Sequence, residues 1–147
     1  MTSQLVNFIA DARAATYASG KKAELGEGKH YFFENGEFAY RDIYYDQAKT
    51  FQGQEVVFKN NKPIWSFSYR GSVESDERAH GIFSFLRQSL RELKLTARLH
   101  TVCSSSSGKW NYQCSGLGNF EEFSGQEVID YEGVRVYLMQ YFGGDLI

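Results

Sequence analysis

The chain writes one of its own segments twice, and any fold it adopts must accommodate that. Phe51 to Gly71, FQGQEVVFKNNKPIWSFSYRG, moved forward by 72 residues, falls on Phe123 to Gly143, FSGQEVIDYEGVRVYLMQYFG. Phe51, Gly53, Gln54, Glu55, Val56, Tyr69 and Gly71 return as Phe123, Gly125, Gln126, Glu127, Val128, Tyr141 and Gly143. The same offset carries Phe38 onto Trp110 and Tyr40 onto Tyr112, giving eight identities over 34 ungapped positions. Average residue usage would give about two. An internal duplication is the reading that follows, and it makes a two-unit architecture the first expectation.

Each unit reads as a helix followed by four strands. Ser3 is a suitable N-cap, and Leu5, Phe8, Ile9, Ala12 and Ala15 recur at helical spacing, predicting a helix over residues 3–19 that stops at Gly20. Asn35-Gly36 between Phe-rich runs predicts a two-residue hairpin turn that pairs Phe33 with Phe38 and Tyr31 with Tyr40. Asn60-Asn61 joins the next two strands, in the second of which Trp65, Phe67 and Tyr69 share a face while Ser66 and Ser68 face away. Ser75, with Asp76 and Glu77 in the first turn, opens a second helix with an apolar stripe of Ile82, Phe83, Leu86, Leu90 and Leu93. Leu99–Cys103 reads as a strand and Ser104–Gly108 as a polar loop. Trp110–Cys114, Phe123–Tyr131 and Val134–Phe142 read as the remaining strands, the last two joined by Glu132-Gly133. The expected fold class is α+β: one domain, residues 1–147, made of αββββ units at 1–74 and 75–147. Both helices pack on a mainly antiparallel sheet.

Composition bears on what such a domain does. Aromatic residues make up 16% of the 147, which favours strands. A formal net charge of -2 leaves no basic footprint for direct nucleic-acid binding. The segment MTSQLVNFIADARAA lacks the basic and apolar regions of a signal peptide, and no apolar run approaches membrane-spanning length. With two cysteines, Cys103 and Cys114, the expectation is a cytoplasmic protein whose thiols are free and mostly buried, although their flanking of a hairpin leaves a disulfide open.

No nucleophile elbow, phosphate loop or dinucleotide fingerprint is present. His30, His80 and His100 lie far apart without metal-ligand spacing, so neither metal nor cofactor is expected. Glu55 and Glu127 recur in equivalent Gly-Gln-Glu-Val strands. Paired, they would suit acid and base roles, but their presence in both copies favours a structural duty. The run Tyr40-Arg41-Asp42-Ile43-Tyr44 has no full counterpart in the second unit, where Tyr112-Gln113-Cys114-Ser115-Gly116 stands. Tyr40, Asp42 and Tyr44 alternate onto one face and offer phenols and a carboxylate to a pocket; the alternative is a hydrogen-bonded network that fixes the sheet. The recurrent rings, Trp65 among them, suit either a ligand platform or a core beneath the helices.

These residues resemble a family of uncharacterised bacterial domains found alone or behind Xre-type helix-turn-helix domains. The matching pieces are Phe8-Ile9 through Ala14-Ala15-Thr16-Tyr17, then Tyr40-x-Asp42-x-Tyr44, Phe51-x-Gly53-x-Glu55-Val56-Val57, Pro63-Ile64-Trp65 and Tyr69-x-Gly71. Phe120-Glu121-x-Phe123-x-Gly125-x-Glu127 and Tyr141-Phe142-Gly143-Gly144 complete them. In the family pattern a Phe-Gly-Gly follows Asp-x-Tyr where this chain has Tyr45-Asp46-Gln47, so no loop function carries over there. The resemblance implies a fold and a bacterial setting, with no established activity.

The resulting expectation is a non-enzymatic binding or sensing domain for a small ligand or a protein partner, a second copy of itself included. Its expected site is the face of Tyr40, Asp42, Tyr44, Glu55 and Trp65. The alternatives are an immunity- or antitoxin-like inhibitor, and a hydrolase using Asp42 with Glu55 or Glu127.

Overall fold

The computed structural model describes residues 3–17, 23–25, 28–93 and 102–147. Helix α1 (Ser3–Ala15) is followed by strands β1 (Ala23–Leu25), β2 (Gly28–Asn35), β3 (Phe38–Gln47), β4 (Thr50–Lys59) and β5 (Lys62–Val73). Helix α2 (Asp76–Glu92) then leads into β6 (Val102–Ser107), β7 (Trp110–Gly118), β8 (Glu122–Tyr131) and β9 (Val134–Asp145). Among the described residues, nine strands form one antiparallel sheet in the order β1-β2-β3-β4-β5-β9-β8-β7-β6. Two meanders therefore meet at the centre, where β5 pairs with β9.

The strand registers of the two meanders coincide at the offset of 72. Tyr40 opposes Val57 as Tyr112 opposes Ile129, and Gly53 opposes Tyr69 as Gly125 opposes Tyr141. The irregularity after Val57 in β4 recurs after Ile129 in β8. At the central seam Tyr69 opposes Tyr141. Asn60-Asn61 (φ 50° and 65°) and Glu132-Gly133 (φ 51° and 80°) make equivalent turns with both residues left-handed, the twist a two-residue hairpin requires.

The repeated Phe-x-Gly-x-Glu and Tyr-x-Gly motifs have a packing cause. Phe51 opposes Gly71 on the ladder while Tyr69 opposes Gly53, and each ring lies across the glycine it faces. Phe123 with Gly143, and Tyr141 with Gly125, repeat the arrangement. A side chain on any of these glycines would collide with its ring, so each ring requires the glycine it faces.

Both helices cover the same face of the sheet. Phe8 of α1 lies 5.2 Å from Phe38 and 5.6 Å from Phe33. On α2, Phe85 stacks on Trp110 at 5.5 Å and Phe83 meets Phe51 at 5.8 Å. Leu5, Ile9, Ile82, Leu86 and Leu90 complete the interface with Trp65, Phe67 and Tyr137. Burial of each large apolar side chain contributes about 1.5–3 kcal/mol. Among the described residues, no helix is long and apolar enough to cross a membrane.

Several details correct the sequence reading. The first hairpin turns at Gly36-Glu37, so Phe33 opposes Tyr40 and Tyr31 opposes Asp42; the two-residue slip keeps every side chain on its expected face. Ser104–Ser107, read as loop, is strand, because β6 borrows its order from β7 through a turn at Gly108, whose φ is +58°. β1 was not anticipated, and Phe85, left out of the α2 stripe, is buried. α1 ends at Ala15; the proposed stop at Gly20 and the strand start at Leu99, like His100, lie outside the described residues. The cysteines expected to be free are joined: Cys103 and Cys114 oppose one another on β6 and β7 with Cα atoms 5.1 Å apart, within disulfide reach.

A Cβ at Gly125 would lie 2.5 Å from both the Ser115 carbonyl oxygen and the Tyr141 hydroxyl. Gly125→Ala is therefore expected to cost about 1–3 kcal/mol. Urea denaturation measures it, and a wild-type midpoint would remove the ring-on-glycine account of the motif.

Candidate functional site

Asymmetry between the two meanders points to the candidate site. Tyr31 and Asp42 oppose one another on β2 and β3 at the ladder position that the Cys103–Cys114 disulfide occupies on β6 and β7. Where the second meander carries Gly116, the first carries Tyr44. Long polar side chains thus stand in one half where a compact cross-link stands in the other. Above them lies a cavity of about 270 Å³ between the sheet, α2 and the end of α1.

Its sheet side is built from β2, β3, β4, β5 and β9, whose alternation aims every second side chain at the helices. Asp42 is buried on β3, and Tyr69 of β5 donates its phenolic hydrogen to Asp42 Oδ1 at 2.7 Å. Tyr31 and Tyr44 stack with centroids 6.0 Å apart, and Tyr17 meets Tyr31 edge-on at 5.9 Å. Phe51 and Phe67 complete the aromatic wall, while Phe83, Leu86 and Arg87 of α2 face it. Burial raises the pKa of Tyr31, Tyr40, Tyr44 and Tyr69, and the Asp42 carboxylate adds to the effect in each case. These phenols therefore stay protonated and serve as hydrogen-bond donors.

Glu55 sits opposite Asp42 on the ladder, which puts two carboxylates side by side. Like charges so placed repel, and α1 answers with Arg13. Its Nε and Nη2 donate to Glu55 Oε2 at 2.9 and 2.6 Å, and its guanidinium lies 4.8 Å from the Phe67 ring centroid. Arg13 is only 2% exposed. Glu127 faces Cys114 instead of a carboxylate, and as a buried acid it is satisfied by neutral donors: Tyr112 and Tyr137 donate hydroxyl hydrogens to its two oxygens at 2.6 and 2.8 Å. Glu55 and Glu127 stand on β4 and β8 with β5 and β9 between them, each with its own partners.

Of the five expected site residues, Asp42, Tyr44 and Glu55 line the cavity. Tyr40 and Trp65 do not. Tyr40 is fully buried beside Glu55, and Trp65 donates its indole N–H to the Phe120 carbonyl at 3.3 Å and stacks on Phe120 and Phe123 in the core. Sequence reading missed Arg13, Tyr31, Tyr69 and Arg87 as members of the site. Arg13 was legible, since it falls four residues after Ile9 on the apolar stripe of α1, where a cation requires a buried acid.

Arg13→Met leaves Glu55 buried without its cation and is expected to lower stability by about 3–5 kcal/mol. Arg13→Met/Glu55→Leu is expected to recover much of that; equal losses in chemical denaturation would discard the ion pair as the cause. For the phenols, a folded pKa above the unfolded value of about 10 means stability is intact below that pH and lost as pH rises beyond it. Tyrosinate absorbance is thus expected to show a late group of phenols ionising together with loss of the sheet's circular dichroism. Titration of all ten tyrosines near pH 10 in an intact sheet would contradict the burial.

A family model described as Domain of unknown function (DUF5680) matches residues 42–146. Neither a curated protein nor a solved structure matches the chain. The match opens at Asp42 and takes in Tyr44, Glu55 and Tyr69, as well as the whole of the second meander. It leaves out α1, and with it Arg13, and also Tyr31. Because the match covers most of its length, the chain belongs to the DUF5680 family of domains of unknown function.

Proposed function

We propose that this chain is a non-enzymatic binding or sensing domain that takes one small ligand in the cavity over Asp42, and, from the resemblance, a bacterial one. The observation that carries the reading is the cavity itself, lined by neutral phenols and apolar rings around a few fixed polar groups, as ligand sites are. Its volume of about 270 Å³ admits a one- or two-ring molecule. The disulfide at the equivalent place in the second meander supports one site per chain. The coincident registers and the shared irregularity support the further proposal that the two halves arose by duplication, with one copy specialised for binding and the other for stability.

A hydrolase built on Glu55 and Glu127 has little support, because two strands separate them. Asp42 and Glu55 are adjacent, yet Arg13 holds Glu55 and Tyr69 holds Asp42. The inhibitor reading draws instead on the uncovered face of the sheet, where Phe32, Tyr45 and Phe142 are exposed. We keep a cytoplasmic setting as part of the proposal; disulfides are rare there, so the Cys103–Cys114 bridge would be one of the exceptions.

Affinity capture of the tagged chain, with mass spectrometry of small molecules and proteins, tests the proposal. A co-purifying small molecule is expected with the wild type and lost in Asp42→Asn, with both proteins equally folded by circular dichroism. A stoichiometric protein partner and no small molecule would overturn the reading in favour of the inhibitor. Ligand retained by Asp42→Asn would move the site elsewhere.

A further inference from the structure

The binding reading does not say what kind of molecule enters, and the mouth of the cavity bears on that question. Lys49, in the turn between β3 and β4, and His80 and Arg87, both on α2, line it from opposite sides. His80 and Arg87 are seven residues apart, two helical turns, and so share one face of α2. The acids around them are engaged. Asp46 is held by Lys29 at 2.7 and 2.8 Å, Glu55 by Arg13, and Asp42 by the Tyr69 hydroxyl. Among the described residues no carboxylate lies within ion-pair distance of Lys49, His80 or Arg87. Arg87 is half-buried beside Tyr31, whose phenol its charge pulls down in pKa against the effect of burial.

A guanidinium with no carboxylate partner among the described residues, at the edge of an aromatic cavity, is costly to desolvate unless an anion meets it, and its planar fork suits a carboxylate. The second meander lacks the arrangement: the residue 72 positions after Lys49 is Glu121. Within the binding reading, we infer that the ligand is a small aromatic carboxylate. Its ring system lies among Tyr31, Tyr44, Phe51 and Phe83, and its carboxylate is met at the mouth by Arg87 and Lys49. The phenols of Tyr31 and Tyr44 stand close enough in the same wall to take a polar ring substituent.

The probes are 1-naphthaleneacetate, its uncharged amide and the corresponding amine, 2-(1-naphthyl)ethylamine, each measured by calorimetric titration and ligand-observed NMR on the full chain. The acid is expected to bind at least about tenfold more tightly than the amide, the worth of one charge-assisted hydrogen bond. The amine is expected to bind weakest. Arg87→Gln changes a half-exposed residue and leaves the core untouched; it is expected to weaken the acid far more than the amide and so to remove most of the preference. Lys49→Gln reduces the preference less, and raised salt weakens the acid alone. Amide or amine binding as tightly as the acid, or an Arg87→Gln protein that keeps the preference, overturns the carboxylate assignment and leaves the cavity as the site. Binding of no probe by the wild type overturns the inference. Binding of the acid undiminished by Leu86→Trp, which fills the cavity, removes the site itself and the binding reading with it.

Discussion

The pairing of β5 with β9 is the constraint on which the other features of this molecule rest. It fuses two meanders into one sheet and turns what would be two exposed edges, lined with Trp65, Phe67 and Tyr69 on one side and Tyr137, Met139 and Tyr141 on the other, into the middle of the core. Open edges of that length and apolarity would invite association. Once they are joined, the outermost strands are β1 and β6, three and six residues long, which are short and therefore poor templates for another chain. The seam also fixes the cavity, because β5 supplies Phe67 and Tyr69 while β9 brings Tyr137 and Met139 to the same wall.

Positions 72 residues apart in the two meanders share a place on the ladder and are filled differently. The ladder position of Tyr31 and Asp42 is a polar opening in the first and a covalent bridge in the second. The buried glutamates show the same economy with different partners, a guanidinium from α1 in one case and two sheet phenols in the other. A carboxylate at this point in the strand is thus a fixed cost of the shared plan, and each half offsets it with whatever donor its surroundings provide.

Much of this was legible in the residues. The internal match, the Asn60-Asn61 and Glu132-Gly133 turns and the strand alternation led to two helices on an antiparallel sheet. The facing of Tyr40, Asp42 and Tyr44 followed from period two alone. What escaped depended on partners distant in sequence. Serine has no strand preference of its own, so β6 is ordered by β7 and was read as loop. The Asn35-Gly36 pair mimicked a turn that the chain makes one residue later. Trp65 and Tyr40 share the expected site face yet lie outside the cavity, because period two tells which face a side chain is on and nothing about which part of that face a helix will cover. Arg13 and Tyr69 reach the cavity's acids across 42 and 27 residues of chain, distances at which local pattern carries no information.

The strand that completes the centre of the sheet is also the last to be made. During vectorial synthesis β5 leaves the ribosome long before β9, so the first meander must persist with its richest aromatic edge unpartnered while 60 further residues emerge. Non-local pairing of this kind is slow and leaves nascent chains prone to clump. The arrangement makes the dozen residues of β9 a checkpoint: a product cut short within Val134–Asp145 keeps the apolar face of the first meander but lacks the strand that closes it.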